Sequence, residues 1–163
     1  MQHSTVNMYI GDPCYVIRDS DWQEFCNIFF ETQENTGSSS FWMDFKNQMC
    51  YVMETSHGDG TYTLTNPHDI ATSEIFVDSG LIACVPRSII SNEIQNQNYN
   101  MFFYDNINTE HISSEDGILY ADDYRCDTNT GSDDNDYDDE CEEYYNDYLD
   151  SCNYLNSCND DDC

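Results

Sequence analysis

The strongly apolar residues of this chain end near Ala121, and that limits what the remainder can fold into. After Ala121 there is no Ile, Val, Phe, Met or Trp, only two Leu. From Asp122 to Cys163 there are 16 acidic residues, six Tyr, five Cys and one basic residue, Arg125. So little apolar content at so high a charge cannot bury enough surface to offset the entropy lost on ordering. The expectation is a folded domain over residues 1–121 and a disordered acidic tail over residues 122–163. The first part is long enough for one real core.

The charge limits the partners. The chain carries 33 acidic residues against four Lys or Arg, a formal net charge of −29. Binding to bare nucleic acid or an anionic membrane through charge needs Lys and Arg to displace counterions, and both parts of this chain lack them. Expected partners are therefore a basic protein, or a protein site that normally holds nucleic acid. The first twenty residues lack the basic start and apolar run of a secretory signal, and no stretch reaches membrane-spanning length. The expected location is intracellular, in a host cytoplasm or a virion. Nine cysteines, an odd number, in that setting argue against a disulfide framework. Cys14, Cys26, Cys50 and Cys84 sit in apolar surroundings and read as small buried hydrophobes.

Along the body, Val6–Ile10 reads as a strand stopped by Gly11-Asp12-Pro13, and Cys14–Ile17 as its continuation. Ser20-Asp21-Trp22-Gln23 fits a capping box. Trp22, Phe25, Cys26 and Phe29 share one face of a helix expected to end near Thr32. Strands follow at Phe41–Phe45, Met49–Thr55, Thr61–Thr65, Glu74–Asp78 and Leu81–Val85. Ser88–Gln97 reads as a short helix or loop, with late strands at Tyr99–Tyr104 and Gly117–Tyr120. The fold class is α+β: a mainly antiparallel sheet of six to eight short strands with one amphipathic helix.

Three segments taken in order carry a resemblance. They are Tyr9–Val16 (YIGDPCYV) before a Trp-containing helix, Gly58–Tyr62 (GDGTY) at a turn, and Val77–Ile82 (VDSGLI) running to Pro86. Together they resemble a group of small uncharacterised proteins of bacteriophages and large DNA viruses. The match spans roughly residues 8–90. It implies a viral or phage-like origin and a compact β-rich fold. It implies no activity, and the acidic tail lies outside it.

Two chemistries can be drawn from the turns. Cys14, His57 and Asp78 are the parts of a cysteine-nucleophile site, with the imidazole as base and a carboxylate holding the ring. Asp12, His57, Asp59 and Asp78 are possible ligands for Ca²⁺, Mg²⁺ or Zn²⁺. The plainer reading is that Asp12, Asp59 and Asp78, each beside Gly or in a turn signal, cap backbone amides.

The tail offers a third chemistry. Asp133, Asp134, Asp136, Tyr137, Asp138, Asp139, Glu140, Glu142, Glu143, Tyr144, Tyr145 and Tyr148 form an acid run with aromatic anchors. Such a run can wrap a basic protein, with Tyr stacking on Arg, or copy the charge of a phosphate backbone. The plainer reading is a solubilising tail. The acids lack the spacing of a calcium loop, and Cys126, Cys141, Cys152, Cys158 and Cys163 lack the paired spacing of a zinc module. No dedicated cofactor is expected, only weak divalent-cation binding. The leading reading is a non-enzymatic acidic binding protein of viral or phage type. The alternatives are a small metal-dependent hydrolase or cysteine-nucleophile enzyme, and a virion structural component.

Overall fold

The computed structural model describes residues 4–66, 68–97 and 103–130. The elements in chain order are β1 (Thr5–Gly11), α1 (Asp19–Thr36), β2 (Ser40–Phe45), β3 (Gln48–Glu54), β4 (Gly60–Asn66), β5 (Asp69–Val77) and β6 (Leu81–Pro86). They continue with α2 (Asn92–Gln97), β7 (Phe103–Asn108), β8 (Ile112–Glu115), β9 (Ile118–Ala121) and β10 (Tyr124–Asp127). The strands form two five-stranded sheets, ordered β2-β3-β6-β1-β7 and β5-β4-β10-β9-β8. Every strand pair is antiparallel. The α+β class with one main helix is the architecture observed, with ten strands among the described residues rather than six to eight.

The layering follows from the side-chain period of a strand, which sends alternate residues to opposite faces. In β6, Leu81, Ala83 and Val85 enter the core beneath α1, while Ile82 and Cys84 enter the core between the two sheets. All six residues of β6 are buried. A strand covered on both faces needs such a continuous apolar run. In β4, Tyr62 and Leu64 point inward while Thr63 between them is exposed, as suits a sheet with one wet face. The protein body is thus three layers: helix, inner sheet, outer sheet.

α1 buries Trp22, Phe25 and Phe29. Trp22 stacks on Phe25 at 5.5 Å, and Phe25 meets Phe45 of β2 edge-on at 5.2 Å. The helix departs from expectation at both ends. Its N-cap is Arg18, in extended conformation and without a side-chain cap, so Ser20 lies inside the first turn and the capping box does not form. Asp19 and Asp21 still place negative charge at the positive end of the dipole. At the other end, nothing in Gln33–Thr36 breaks the helix. It runs to Gly37, which caps it at φ 66° in the left-handed region.

Three further expectations are corrected. Cys14–Ile17 is not a strand: Pro13–Tyr15 form a 3₁₀ turn, because Asp12 bonds the Cys14 amide and Pro13 fixes the first φ. Of the late strand expected at Tyr99–Tyr104, Phe103 and Tyr104 belong to β7, which runs on to Asn108 instead of stopping, and residues 99–102 lie outside those described. The body does not end at Ala121. β10 pairs with both β4 and β9, and Cys126 and Thr128 are wholly buried. β8 and β9 meet at Asp116-Gly117, both with positive φ, the pairing a tight hairpin turn demands. The acidic residues Asp122, Asp123 and Asp127 hid this last strand. Cys126 is a core residue rather than part of a tail. The residues beyond Thr130, with the expected disordered tail, lie outside those described. Among the described residues no helix is long and apolar enough to cross a membrane.

Candidate functional site

β1 ends at Gly11, and the next residue, Asp12, is wholly buried. A buried carboxylate is tolerated only when its oxygens are bonded. Oδ1 accepts from the Cys14 amide at 2.8 Å and the Ser79 hydroxyl at 2.6 Å. Oδ2 accepts from the amides of Asp78 at 2.7 Å and Ser79 at 2.8 Å. The Asp12 carbonyl accepts from the Tyr9 hydroxyl at 2.9 Å. One side chain therefore ties the end of β1 to the β5–β6 turn.

Asp59 and Asp78 lie in the same electrostatic neighbourhood. Burial, and then the Asp12 charge, raise the pKa of each, and a hydrogen bond from the Gly80 backbone partly offsets this at Asp59. Tyr15 donates its hydroxyl to Asp78 Oδ2. The 3₁₀ turn, the β4 entry and the β5–β6 turn thus converge around Asp12. His57 does not turn into this group. Its Nε2 is 2.9 Å from the Asn129 carbonyl, on an exposed side. Its loop is held by Thr55 Oγ1 and the Tyr62 hydroxyl, which donate to the Gly58 carbonyl at 2.5 and 2.8 Å.

Among the described residues no hydrogen bond joins His57 to Cys14. The Cys14 thiol is pushed well up by burial, then by the Asp12 charge and its hydrogen bond, then by Asp78 and Asp59. A nucleophilic cysteine needs the opposite, a positive surrounding that stabilises the thiolate. Nor does any group of three or more His, Cys, Asp or Glu side chains among the described residues have the geometry to hold a metal ion. Chemically, this cluster is a latch: a carboxylate saturated by donors from two distant turns.

Sequence reasoning named Asp12 and Asp78 but missed Ser79 and Tyr15, which complete the latch. The Asp-Ser-Gly segment was the available signal, since Asp and Ser at a turn supply both amide and hydroxyl donors. It also missed a polar cleft of about 280 Å³ at one end of the two sheets, lined by Ser39, Ser40, Met53, Glu54, Thr55, Ser56, Ser114, Glu115, Asp116 and Gly117. A hydroxyl chain runs beside it: Ser114 Oγ lies 2.6 Å from both the Tyr51 hydroxyl and Ser40 Oγ. No sequence pattern marks such a cleft, because its walls come from three separate segments. The tail candidates Asp133–Tyr148 lie outside the described residues. No family model, curated protein or solved structure matches this chain.

Proposed function

We propose that this is an acidic binding protein that engages a basic protein, or the nucleic-acid-binding site of one, through carboxylates with tyrosine anchors. Its phage or viral origin stays part of the proposal. One observation carries it: the surplus of negative charge is not neutralised within the body. The chain has four Lys or Arg against 33 Asp or Glu. Three of those four cations are already engaged. Lys46 pairs with Asp21 at 2.6 Å, Arg125 lies 3.7 Å from Asp127, and Arg87 bonds Gln95 at 3.0 Å while covering the Phe103 ring. The remaining field is available for a cationic partner, and counterion release on both surfaces would drive the encounter. The acids of the Asp12 cluster are spent on the fold, so the tail residues Asp133–Tyr148 are the proposed contact.

The test is capture from cell lysate by the full chain and by a chain ending at Ser132, at low and high salt. Basic or nucleic-acid-binding proteins held by the full chain alone, and released by salt, support the reading. Equal capture by both chains would move the contact to the body. Capture that salt does not weaken would remove its electrostatic basis.

A further inference from the structure

The cleft at the end of the two sheets has an electrostatic character that its walls explain. Glu54, Glu115 and Asp116 line it, and no basic side chain does. The last turn of α1 carries no basic residue either, so the negative end of its dipole is uncompensated. The chain leaves that turn through Gly37 and reaches the cleft wall at Ser39, whose carbonyl accepts the Glu54 amide at 2.9 Å. Gln33, in the same turn, donates to Glu54 Oε1 at 2.8 Å. No described residue bonds the other oxygen, Oε2. Three carboxylates and a helix C-terminus thus act on one concavity.

Its size and lining narrow the ligand. A volume of about 280 Å³ falls just below the roughly 300–1,000 Å³ of pockets for drug-sized ligands, so it suits one side chain. Its acceptors are spread: Glu54 on one wall, Ser114, Glu115 and Asp116 on another. A guanidinium presents five N–H donors in a planar fork, whereas an ammonium presents three around one point.

We propose that this cleft seats an arginine side chain of a basic partner segment. The proposal rests on the acidic-binding reading above and adds a second contact, on the folded body. The probe is a capped tetra-arginine peptide titrated into the full chain at low salt. Glu54→Gln with Asp116→Asn removes two charges from the cleft. Glu74→Gln with Asp105→Asn removes two from exposed positions on β5 and β7 and serves as the control. The cleft pair is expected to weaken binding by about tenfold, the loss of one charge-assisted contact, and the control by less than about twofold. Amide shifts on titration are expected at Thr55, Ser56 and Ser114–Gly117.

Equal weakening by the two pairs overturns the proposal in favour of a general field. Shifts confined to residues beyond Ser132 overturn it while leaving the basic-partner reading intact. Equal affinity for tetra-lysine overturns the choice of arginine. An unchanged urea midpoint in the cleft variant separates lost binding from lost folding.

Discussion

Asp12 Oδ2 accepts the Ser79 backbone N–H at 2.8 Å while Oδ1 accepts the Ser79 hydroxyl at 2.6 Å, so two residues far apart in sequence share a two-point clamp in the interior. Replacing Asp12 by Asn keeps the shape but leaves one acceptor oxygen and turns an NH₂ toward amides that also donate. Two buried donors then lose their partners, at about 1–3 kcal/mol each. Asp12→Asn is expected to cost on the order of 3 kcal/mol. With a urea slope of about 1–3 kcal/mol/M, the midpoint should fall by more than about 1 M. A midpoint within error of the parent chain would mean that the clamp contributes nothing net.

The acids around that clamp set a pH dependence. Asp59 and Asp78 have pKa values raised by burial and by Asp12. Above the unfolded carboxylate range the folded state therefore holds more protons at these sites than the unfolded state. Stability contributed by the two groups is fully present below the unfolded carboxylate pKa and is lost as pH rises through their raised values. Both sites are largely exposed, so solvent screening keeps the effect modest. Asp59→Asn with Asp78→Asn should flatten the slope of the unfolding midpoint between about pH 4 and pH 7. The Glu74→Gln/Asp105→Asn control should leave it unchanged. Matching slopes in the two variants would attribute the dependence to whole-chain repulsion.

Beneath α1, Phe25 is fully buried between Trp22 and Phe45. Phe25→Ala opens a cavity that two aromatic neighbours cannot fill, at about 3–5 kcal/mol. Phe30, five residues on, is 57 % exposed, and Phe30→Ala should change stability by less than about 0.5 kcal/mol. The pair separates helix packing from helix propensity. Similar losses at the two positions in urea titrations would contradict the assigned face.

How far the sequence speaks for the fold differs by element. β6 and α1 were legible because their apolar residues keep a period that only one packing satisfies: Leu81–Pro86 without interruption, and Trp22, Phe25 and Phe29 at helical spacing. The ends of α1 were not, since Ser20 and Gln23 compete with Arg18 and Asp19 for the start, and only tertiary contacts decide. β10 was hidden because Asp122 and Asp123 precede it and Asp127 ends it, while its inward residues are only Tyr124 and Cys126. At the site, the Asp-Pro and Asp-Ser-Gly turns marked Asp12 and Asp78 as turn residues, but their meeting is set by the pairing of β1 with β6, which neither local pattern indicates. The outward turn of His57 follows from its contact with Asn129, a partner 72 positions away that no local pattern indicates.

That hidden strand fixes where the chain can be shortened. Ending it at Ala121 removes β10, which lies between β4 and β9 in the outer sheet, and leaves both flanking strands with unpaired backbone groups. It also removes Cys126 from the inter-sheet core and Thr128, whose Oγ1 donates to the Gly117 carbonyl at 2.6 Å and accepts the Ser56 amide at 3.0 Å. Loss of a central strand exceeds the roughly 5–15 kcal/mol that holds a domain folded. A chain ending at Ala121 should therefore lack a cooperative urea transition and expose apolar surface to dyes, while one ending at Ser132 should unfold cooperatively. If the shorter chain melts with the same midpoint as the longer, β10 is an accessory strand and the outer sheet closes without it.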